Sequence, residues 1–446
     1  MMPNQSSFGS LPTFAVEHDH FQILQSAARF REYLLEAINN ATSRIYLVTL
    51  YLEDDEAGRE ILTAVYEAKQ RNPKLDIVIC VDWHRAQRGL IGAESTKGNA
   101  GLYQAYADKY AESVPVYGIP VRKREVFGVL HLKGFVIDDT VIYSGASLNN
   151  VYLHYGDRYR FDRYHVIQNM PLADSMVDFI QNDMISHPAV HDLSKAGLPT
   201  TKELKSDIRK FRIALSRSFY QGEAQQVDEN HVAVTPLVGV GRRNNMLNKQ
   251  ILALLTNATE EIILCTPYFN LPKSVLREVK RAIKRGVKVD IVVGDKTAND
   301  FYIAPDKPFK AIGGLPYLYE INLRKFSVVN EKYIATGQLS VHLWKHDANS
   351  YHLKGLWVDR STMLLTGNNV NPRAWSLDLE NGLLISDPNK LLEAKFNEEF
   401  ENIFKHTQRI STCSQLETLQ DYPSRIQRLL KKVIRTRADR LLKRIL

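Results

Sequence analysis

The sequence contains an internal repeat, and this repeat constrains the fold more than any other feature of the chain. The segment EAINNATSRIYLVTLYL (Glu36–Leu52) is matched about 220 residues later by ALLTNATEEIILCTPYF (Ala253–Phe269). Each copy has a helical pattern, then Asn-Ala-Thr, then an apolar run rich in strand-forming residues. A chain of 446 residues with 44% hydrophobic residues is long enough to build such a unit twice.

Both copies continue with the same order of elements. A second helical pattern leads to a buried-strand pattern at 75–82 or 287–295, and each copy closes with a strand at 163–167 or 381–386. Strands alternating with helices predict an α/β fold of two tandem repeats, each a mixed β-sheet flanked by helices. The predicted units are a first repeat at 1–200, a linker region at 201–230, a second repeat at 231–420 and a basic amphipathic C-terminal helix at 421–446.

Before its last strand, each copy carries an apolar hairpin with a histidine and a lysine two residues apart. The first hairpin, VLHLKGFVIDDTVIYSGASLNN, contains His131 and Lys133. The second, SYHLKGLWVDRSTMLLTGNNVN, contains His352 and Lys354. Residues i and i+2 of a strand point to the same face, so we expect each pair to act together.

Turns near Asp138 and Asp359 would return each hairpin antiparallel to itself. With these turn centres, the returning strand brings short polar side chains to the end where the histidine lies. These candidate phosphate-binding or orienting residues are Ser147 and Asn149 in the first copy, and Asn369 and Asn371 in the second.

This constellation has the groups that phosphodiester chemistry needs. A neutral imidazole can attack phosphorus, a lysine ammonium can offset the charge of the non-bridging oxygens, and Ser or Asn donors can hold those oxygens. A histidine that acts as the nucleophile cannot also protonate the departing oxygen, so a second histidine is needed as general acid. We therefore expect the two copies to face each other across a pseudo-twofold axis, with both histidines at one phosphate.

The motif His-x-Lys-x4-Asp, followed by Ser/Asn-x-Asn, occurs in both copies and resembles the phospholipase D superfamily. The chain departs from the superfamily's Gly-Ser-x-Asn element. Ala146 and Asn368 stand at the Gly position, with Gly145 and Gly367 one residue earlier, and Asn369 replaces the second Ser. The phrases GASLNN, YHLKGLWVD and VTPLVGVGRRNN resemble most closely the bacterial phosphatidyltransferases of this superfamily.

What the resemblance implies is a phosphatidyl transfer from CDP-diacylglycerol to L-serine, giving phosphatidylserine and CMP. It implies a phosphatidyl-histidine intermediate, in which one histidine is the nucleophile and the other is the general acid and base. We assign His131 as nucleophile and His352 as acid and base, and because the two motifs are nearly symmetric the reverse assignment stays open. It counts Asp138 and Asp359 among the catalytic residues with the two His-Lys pairs. It implies no cofactor and no metal, since two lysines balance the phosphate charge, and no nucleic-acid partner.

Distance along the strand separates the motif aspartates from other acidic residues. Seven residues of extended strand span roughly 23 Å, so on a straight strand Asp138 cannot orient His131. We expect the motif aspartates to close the turns or to pair with a neighbouring base. Asp162 and Glu380, which precede the last strand of each copy, are better candidates to orient the imidazoles from an adjacent strand.

The residues leave alternatives open. One is another phospholipase-D-type activity, such as cardiolipin synthesis, lipid hydrolysis or a nuclease. Another is a catalytically silent protein that binds membranes or nucleic acid. Two complete His-Lys pairs argue against the silent protein, and the confinement of basic charge to one terminal segment argues against the nuclease.

The net charge of +8 is concentrated at the C-terminus, where residues 425–446 hold nine Lys or Arg and one Asp. Apolar residues recur there at three- and four-residue steps, which predicts a helix lying on an anionic membrane surface. The alternative is a terminal helix packed on the domain. The predicted membrane-binding residues are Arg425, Arg428, Lys431, Lys432, Arg435, Lys443 and Arg444.

The location follows from two further observations. The N-terminal MMPNQSSFGSLPTF lacks the plan of a signal peptide, and no apolar run approaches the roughly 18 residues of a membrane-spanning helix. We expect a cytoplasmic protein that associates peripherally with the inner face of the cytoplasmic membrane.

Overall fold

The computed structural model describes residues 11–88, 98–304 and 306–436, which form two similar α/β halves. The sheet of the first half has eight strands in the order β10-β5-β4-β3-β6-β7-β9-β2. These strands are β2 (Phe21–Leu24), β3 (Arg44–Val48), β4 (Asp76–Asp82), β5 (Val116–Ile119), β6 (Gly134–Ile137), β7 (Thr140–Ser144), β9 (Tyr164–Gln168) and β10 (His191–Asp192).

The sheet of the second half has nine strands in the order β1-β11-β18-β17-β16-β12-β13-β14-β19. These strands are β1 (Phe14–Glu17), β11 (His231–Val240), β12 (Glu261–Thr266), β13 (Lys288–Gly294), β14 (Leu339–Trp344), β16 (Gly355–Val358), β17 (Thr362–Thr366), β18 (Leu379–Ser386) and β19 (Thr407–Ile410). Strand for strand, this order repeats that of the first sheet, with β1 added at one edge. The two-repeat α/β architecture predicted from the sequence is confirmed.

Helices cover the sheets and connect their strands. They are α1 (Ala27–Asn40), α2 (Glu56–Arg71), α3 (Trp83–Gln87), α4 (Ala100–Lys109), α5 (Met170–Asp178), α6 (Lys205–Leu215), α7 (Met246–Asn257), α8 (Lys273–Lys284), α9 (Leu315–Val329), α10 (Glu331–Ala335), α11 (Pro372–Ser376), α12 (Glu393–Phe404) and α13 (Ser424–Arg435). Polar residues begin several of them: Ser26 and Asp55 accept hydrogen bonds from the backbone N–H groups of Arg29 and Gly58, and so cap α1 and α2.

The two hairpins have the register that the turn positions predicted. Strand β6 pairs with β7 so that Ile137 faces Thr140, and β16 pairs with β17 so that Val358 faces Thr362. The turn residues Asp138 and Asp359 have positive φ angles of 49° and 53°, a conformation that Asp tolerates better than most residues.

The His-Lys pairs themselves do not lie on the hairpin strands, and that part of the prediction is wrong. Strands β6 and β16 begin only at Gly134 and Gly355, one residue after each lysine. Both glycines have positive φ, 116° and 158°, which takes the preceding segment out of the strand. The histidines therefore lie on short non-strand segments that directly precede the hairpin strands.

These segments pair with the opposite half. Strand β15 (Ser350–Tyr351) runs parallel to β8 (Arg160–Phe161), and Leu130 makes the equivalent parallel bridge to Leu379. As a result, the stretch before each His-Lys pair lies beside the stretch before the carboxylate of the other repeat. The two halves also share one hydrophobic core, which runs from Phe135 in β6 to Trp357 in β16.

The connection between the halves and the C-terminal segment contain further helices. Helix α6 lies inside the predicted linker region, and β1, from the predicted first repeat, joins the second sheet through β11. Helix α13 buries Ile426 and Leu430 against Tyr317, Leu318 and Tyr422. Within the described ranges no helix is long and apolar enough to span a bilayer.

Candidate active site

The two His-Lys pairs lie at the interface of the halves, and each is fixed by the backbone of the opposite half. The N–H of His131 donates to the carbonyl of Leu379, and the N–H of His352 donates to that of Phe161, both at 2.9 Å. Lys133 and Lys354 are each 1% exposed, so both ammonium groups lie in the interior of the site.

Each imidazole meets a buried carboxyl group of the other repeat. Nδ1 of His131 lies 2.9 Å from Oε2 of Glu380, and Nδ1 of His352 lies 3.1 Å from Oδ2 of Asp162. When it is ionised, a carboxyl group at Nδ1 accepts the ring N–H and so leaves Nε2 as the reacting atom. The side chains of Asp162 and Glu380 are only 2% and 1% exposed, so bulk water cannot take over this role.

Each imidazole forms a cluster with its carboxyl group and its lysine: His131, Glu380 and Lys133 in one, and His352, Asp162 and Lys354 in the other. The two lysines have different hydrogen-bond partners. Nζ of Lys133 donates to Oγ of Ser147 at 3.0 Å, whereas Nζ of Lys354 donates to Oδ2 of Asp162 at 3.0 Å and contacts Nδ1 of His352. Burial and the neighbouring Lys354 lower the pKa of Lys133 to about 7. Burial also lowers the pKa of Lys354, although Asp162 opposes the shift.

Burial favours the neutral form of both imidazoles. Burial, followed by the charges of Lys133 and Lys354, lowers the pKa of His131 well below its ordinary value. Burial and Lys354 lower the pKa of His352 to about 4, while the nearby carboxylates Asp162 and Asp300 oppose the shift. A neutral imidazole carries the free electron pair that a nucleophile or a general base requires.

The two orienting carboxyl groups have opposite shifts. Burial and the adjacent Asp378 raise the pKa of Glu380 well above its ordinary value. Burial also acts against ionisation of Asp162, but the charge of Lys354 and the hydrogen bond from His352 outweigh it and lower the pKa. The site is therefore symmetric in its residues but not in its charge.

Two glycines allow the clusters to pack this closely. A Cβ atom at Gly145 would lie 2.7 Å from Oδ2 of Asp162 and from Nζ of Lys354, and one at Gly367 would lie 2.9 Å from Cγ of Lys133. Each glycine comes from the half opposite to the lysine that it touches. A side chain at either position would displace the charged groups.

The structure separates Asp138 and Asp359 from this site. The carboxylate of Asp138 accepts hydrogen bonds from the backbone N–H groups of residues 42–44, and that of Asp359 accepts from those of residues 259–261. Each one ties its hairpin turn to the Asn-Ala-Thr loop of its own repeat. A β-strand lies between each aspartate and the histidine of its motif, so the structure places these two predicted residues at the turns and not beside the imidazoles.

Of the four predicted Ser and Asn residues, Ser147 accepts a hydrogen bond from Lys133, whereas the asparagines accept hydrogen bonds from other groups. The side chains of Asn149 and Asn371 accept from the N–H groups of Tyr152 and Ala374, and so cap the next turn of chain. The backbone carbonyl of Asn369 accepts from Thr266.

Three residues near His352 were not found by sequence reasoning. The hydroxyl of Tyr152 lies 3.0 Å from Nδ1 of His352, and its ring lies 4.5 Å from the guanidinium of Arg160. Nη2 of Arg160 lies 2.9 Å from Oδ1 of Asp300. The matching positions of the second repeat hold Ala374 for Tyr152 and Asp378 for Arg160, so the repeat did not point to this group.

Comparisons with known proteins match both halves. The family model described as "Cardiolipin synthase, PLD-like domain" matches residues 34–181 and 251–407. The chain is 48% identical to the CDP-diacylglycerol–serine O-phosphatidyltransferase PssA of Escherichia coli strain K12, over 99% of this chain and 98% of that one. The chain belongs to the phospholipase-D-like family.

Other known proteins are also similar over nearly their whole length. The CDP-diacylglycerol–serine O-phosphatidyltransferase of Haemophilus influenzae is 46% identical over 99% of this chain and 98% of that one. The crystal structure of the phosphatidylserine synthase of Haemophilus influenzae Rd KW20 superposes with a TM-score of 0.95, covering 98% of this chain and 97% of the other. A CDP-diacylglycerol–glycerol-3-phosphate 3-phosphatidyltransferase of Schizosaccharomyces pombe is 27% identical over 95% of this chain and 96% of that one.

Proposed function

We propose that this chain transfers the phosphatidyl group of CDP-diacylglycerol to the hydroxyl of L-serine, with release of CMP. The observation that carries the proposal is the meeting of two buried His-Lys pairs, each with its orienting carboxyl group, at one interface. The choice of substrates is supported by full-length relatives that are named for this reaction.

In the first step, Nε2 of His131 attacks the phosphorus next to diacylglycerol and forms a phosphorus–nitrogen bond. The bond from that phosphorus to the bridging pyrophosphate oxygen breaks, and His352, in its imidazolium form, donates a proton to the departing CMP. The products of this half-reaction are a phosphatidyl-histidine and neutral His352.

In the second step, neutral His352 removes the proton of the serine hydroxyl, and the serine oxygen attacks the same phosphorus. The phosphorus–nitrogen bond breaks, phosphatidylserine leaves, and His131 is regenerated. Lys133 and Lys354 offset the negative charge on the non-bridging oxygens in both steps. Both lysines are buried beside the histidines, where their charges act at low dielectric.

The charge asymmetry supports this division of roles. His352 faces the ionised Asp162 and lies near Asp300, so two negative charges stabilise the imidazolium that a general acid must form. His131 faces Glu380, whose raised pKa weakens that stabilisation, and it also lies near Arg373. His131 is thus favoured as the neutral nucleophile.

We also propose that a basic surface on α13 brings the enzyme to an anionic membrane. The predicted residues within the described range are exposed, namely Arg425, Arg428, Lys431, Lys432 and Arg435, whereas Lys443 and Arg444 lie outside it. Ile426 and Leu430 are buried on the domain, so α13 offers charge rather than its apolar face. Phe309, which is 41% exposed, lines a cavity together with Arg425 and supplies an apolar group beside the charges.

The test of the reaction is the identity of its lipid product. Labelled CDP-diacylglycerol in mixed micelles is supplied with serine, glycerol, phosphatidylglycerol or water, and the lipid products are separated. The proposal predicts phosphatidylserine and stoichiometric CMP, with serine far ahead of the other acceptors. Cardiolipin from phosphatidylglycerol, or phosphatidic acid at an undiminished rate when serine is present, would contradict it.

A further inference from the structure

An ion pair beside His352 joins Arg160 of the first half to Asp300 of the second half. Arg160, on β8, lies at the interface of the halves, and its Nε donates to Oγ of Ser350 at 3.2 Å. Its Nη2 lies 2.9 Å from Oδ1 of Asp300, which follows β13 in the second half. Ser350 precedes His352 by two residues, so this pair lies close to the imidazole.

Two tyrosines enclose the pair. The guanidinium of Arg160 lies 4.5 Å from the ring centre of Tyr152, whose hydroxyl hydrogen-bonds to Nδ1 of His352 at 3.0 Å. The hydroxyl of Tyr268 donates to Oδ2 of Asp300 at 2.9 Å. Tyr152 thus joins the ion pair to the imidazole proposed as the base for the serine hydroxyl.

The pair is partly open to solvent, since the side chains of Arg160 and Asp300 are 18% and 14% exposed. Oδ1 of Asp300 itself is buried against Arg160 and accepts no well-directed hydrogen bond from the described residues. A ligand ammonium group that took the place of the guanidinium would therefore gain a charge-assisted hydrogen bond at this oxygen.

We propose that Arg160 and Asp300 form the subsite for the acceptor amino acid, a step that rests on the proposed phosphatidyl transfer. Asp300 binds the α-ammonium group of L-serine, Arg160 binds its α-carboxylate, and the hydroxyl then points to His352. On binding, the ion pair between Arg160 and Asp300 is replaced by two ion pairs between these residues and the ligand. Because the pair is neutral overall, it suits a zwitterion, whereas a pyrophosphate would be repelled by Asp300.

The role of each charged group of L-serine can be tested with acceptors that lack either its carboxylate or its ammonium group. 2-Aminoethanol lacks the carboxylate of L-serine, and 3-hydroxypropanoate lacks its ammonium group. Each compound is measured as an acceptor and as a competitive inhibitor of L-serine transfer, with wild type, Arg160→Gln, Asp300→Asn and Arg31→Gln. The last variant is the matched control, because Arg31 forms a partly exposed ion pair with Glu60 on helices α1 and α2.

We expect the KM for L-serine to rise about 10- to 100-fold in Arg160→Gln and in Asp300→Asn. The preference for L-serine over 2-aminoethanol should shrink in Arg160→Gln, and that over 3-hydroxypropanoate should shrink in Asp300→Asn. Arg31→Gln should keep both preferences. Two further measurements separate recognition from folding. Thermal midpoints of all variants report on folding, and the conservative variant Arg160→Lys should regain part of the preference over 2-aminoethanol.

The outcomes distinguish the two proposals. If wild type makes no phosphatidylserine, the proposed reaction fails. If wild type makes phosphatidylserine but both variants keep the wild-type preferences, or lose all acceptors equally, then the ion pair is structural or acts only through His352. The subsite assignment alone would then be overturned.

Discussion

Nδ1 of His131 lies 2.9 Å from Oε2 of Glu380, a residue 249 positions further along the chain and in the other half of the molecule. The reverse relationship holds for His352 and Asp162. Neither half therefore contains both a histidine of the site and the carboxyl group that contacts it. This exchange gives a physical reason for the tandem repeat, since each copy supplies a histidine to one cluster and a carboxyl group to the other.

The first prediction separates two kinds of acidic residue by rate and by stability. Asp162→Asn and Glu380→Gln should lower turnover about 10²- to 10⁴-fold through loss of imidazole orientation, with small effects on the thermal midpoint. Asp162→Asn should cost more, because Asp162 is ionised whereas the raised pKa of Glu380 makes glutamine a closer replacement. Steady-state kinetics and thermal unfolding of the same preparations provide both numbers.

Asp138→Asn and Asp359→Asn are the matched comparison. Each loses charge-assisted hydrogen bonds to three backbone N–H groups, so the free energy of unfolding should fall by about 1–3 kcal/mol. Activity per folded molecule should stay near wild type. Equal thermal losses in all four variants, with activity following stability, would remove the distinction.

The second prediction concerns the glycine that touches the Lys354 cluster. Gly145→Ala would bring a methyl group within 2.7 Å of Asp162 and Lys354, so it should lower turnover about 100-fold by displacing them. Gly101→Ala is the control, because nothing lies within 4 Å of its added methyl group, and this variant should keep full activity. Wild-type kinetics in Gly145→Ala would mean that the cluster is not close-packed in the working enzyme.

The third prediction is a loss of activity at alkaline pH that is not unfolding. Lys133 titrates near pH 7 in the folded protein and near its ordinary 10.5 when unfolded. Its ammonium is therefore lost as the pH rises through about 7, and kcat/KM should fall there. Between these two values the unfolded chain binds more protons, so this group makes the folded state more stable as pH rises.

Ser147→Ala provides the check on that assignment. The variant removes the oxygen that accepts a hydrogen bond from Nζ of Lys133, so the ammonium should deprotonate at lower pH. The alkaline limb of kcat/KM should shift toward acid, while thermal stability still does not fall across the limb. A limb that stays in place would assign the titration to another group.

The fourth prediction concerns membrane binding by α13. A variant with the five exposed basic residues of the helix changed to Gln should sediment less with anionic vesicles, and the wild-type signal should fall with salt. Keeping Ile426 and Leu430 preserves the docking of the helix, which a chain ending at Tyr422 would lose. The chain ending at Tyr422 is therefore measured as a second variant, and neutral vesicles are the control. If vesicle binding is unchanged in both variants, or does not depend on lipid charge, then the helix has only a structural role.

Much of the fold was predictable because the sequence repeats its own pattern. The hairpin registers followed from turn residues at Asp138 and Asp359 and from the apolar runs around them. The exchange of carboxyl groups was not predictable, since two equal copies allow each acid to serve its own histidine or the other. The placement of the His-Lys pairs on the strands was wrong, and the signal that it missed is the glycine after each lysine, since Gly134 and Gly355 adopt the positive φ that ends the extended run.

The residues around Arg160 and Asp300 were missed for a related reason. Comparison of the two copies picks out what they share, whereas Tyr152, Arg160 and Asp300 occur at one end of the site only. Their proximity depends on β8 pairing with β15 across the interface, a contact between distant parts of the chain. No local pattern encodes such a pairing.

The most direct test of the account is to trap the covalent intermediate. CDP-diacylglycerol labelled in its lipid part is mixed with wild type, His131→Ala or His352→Ala without serine, and the reaction is quenched under conditions that preserve phosphorus–nitrogen bonds. Both variants should lose turnover while keeping the wild-type thermal midpoint within a few degrees. We expect label on the wild type and on His352→Ala at residue 131, and none on His131→Ala. Label retained in His131→Ala, or near wild-type turnover in either variant, would contradict it.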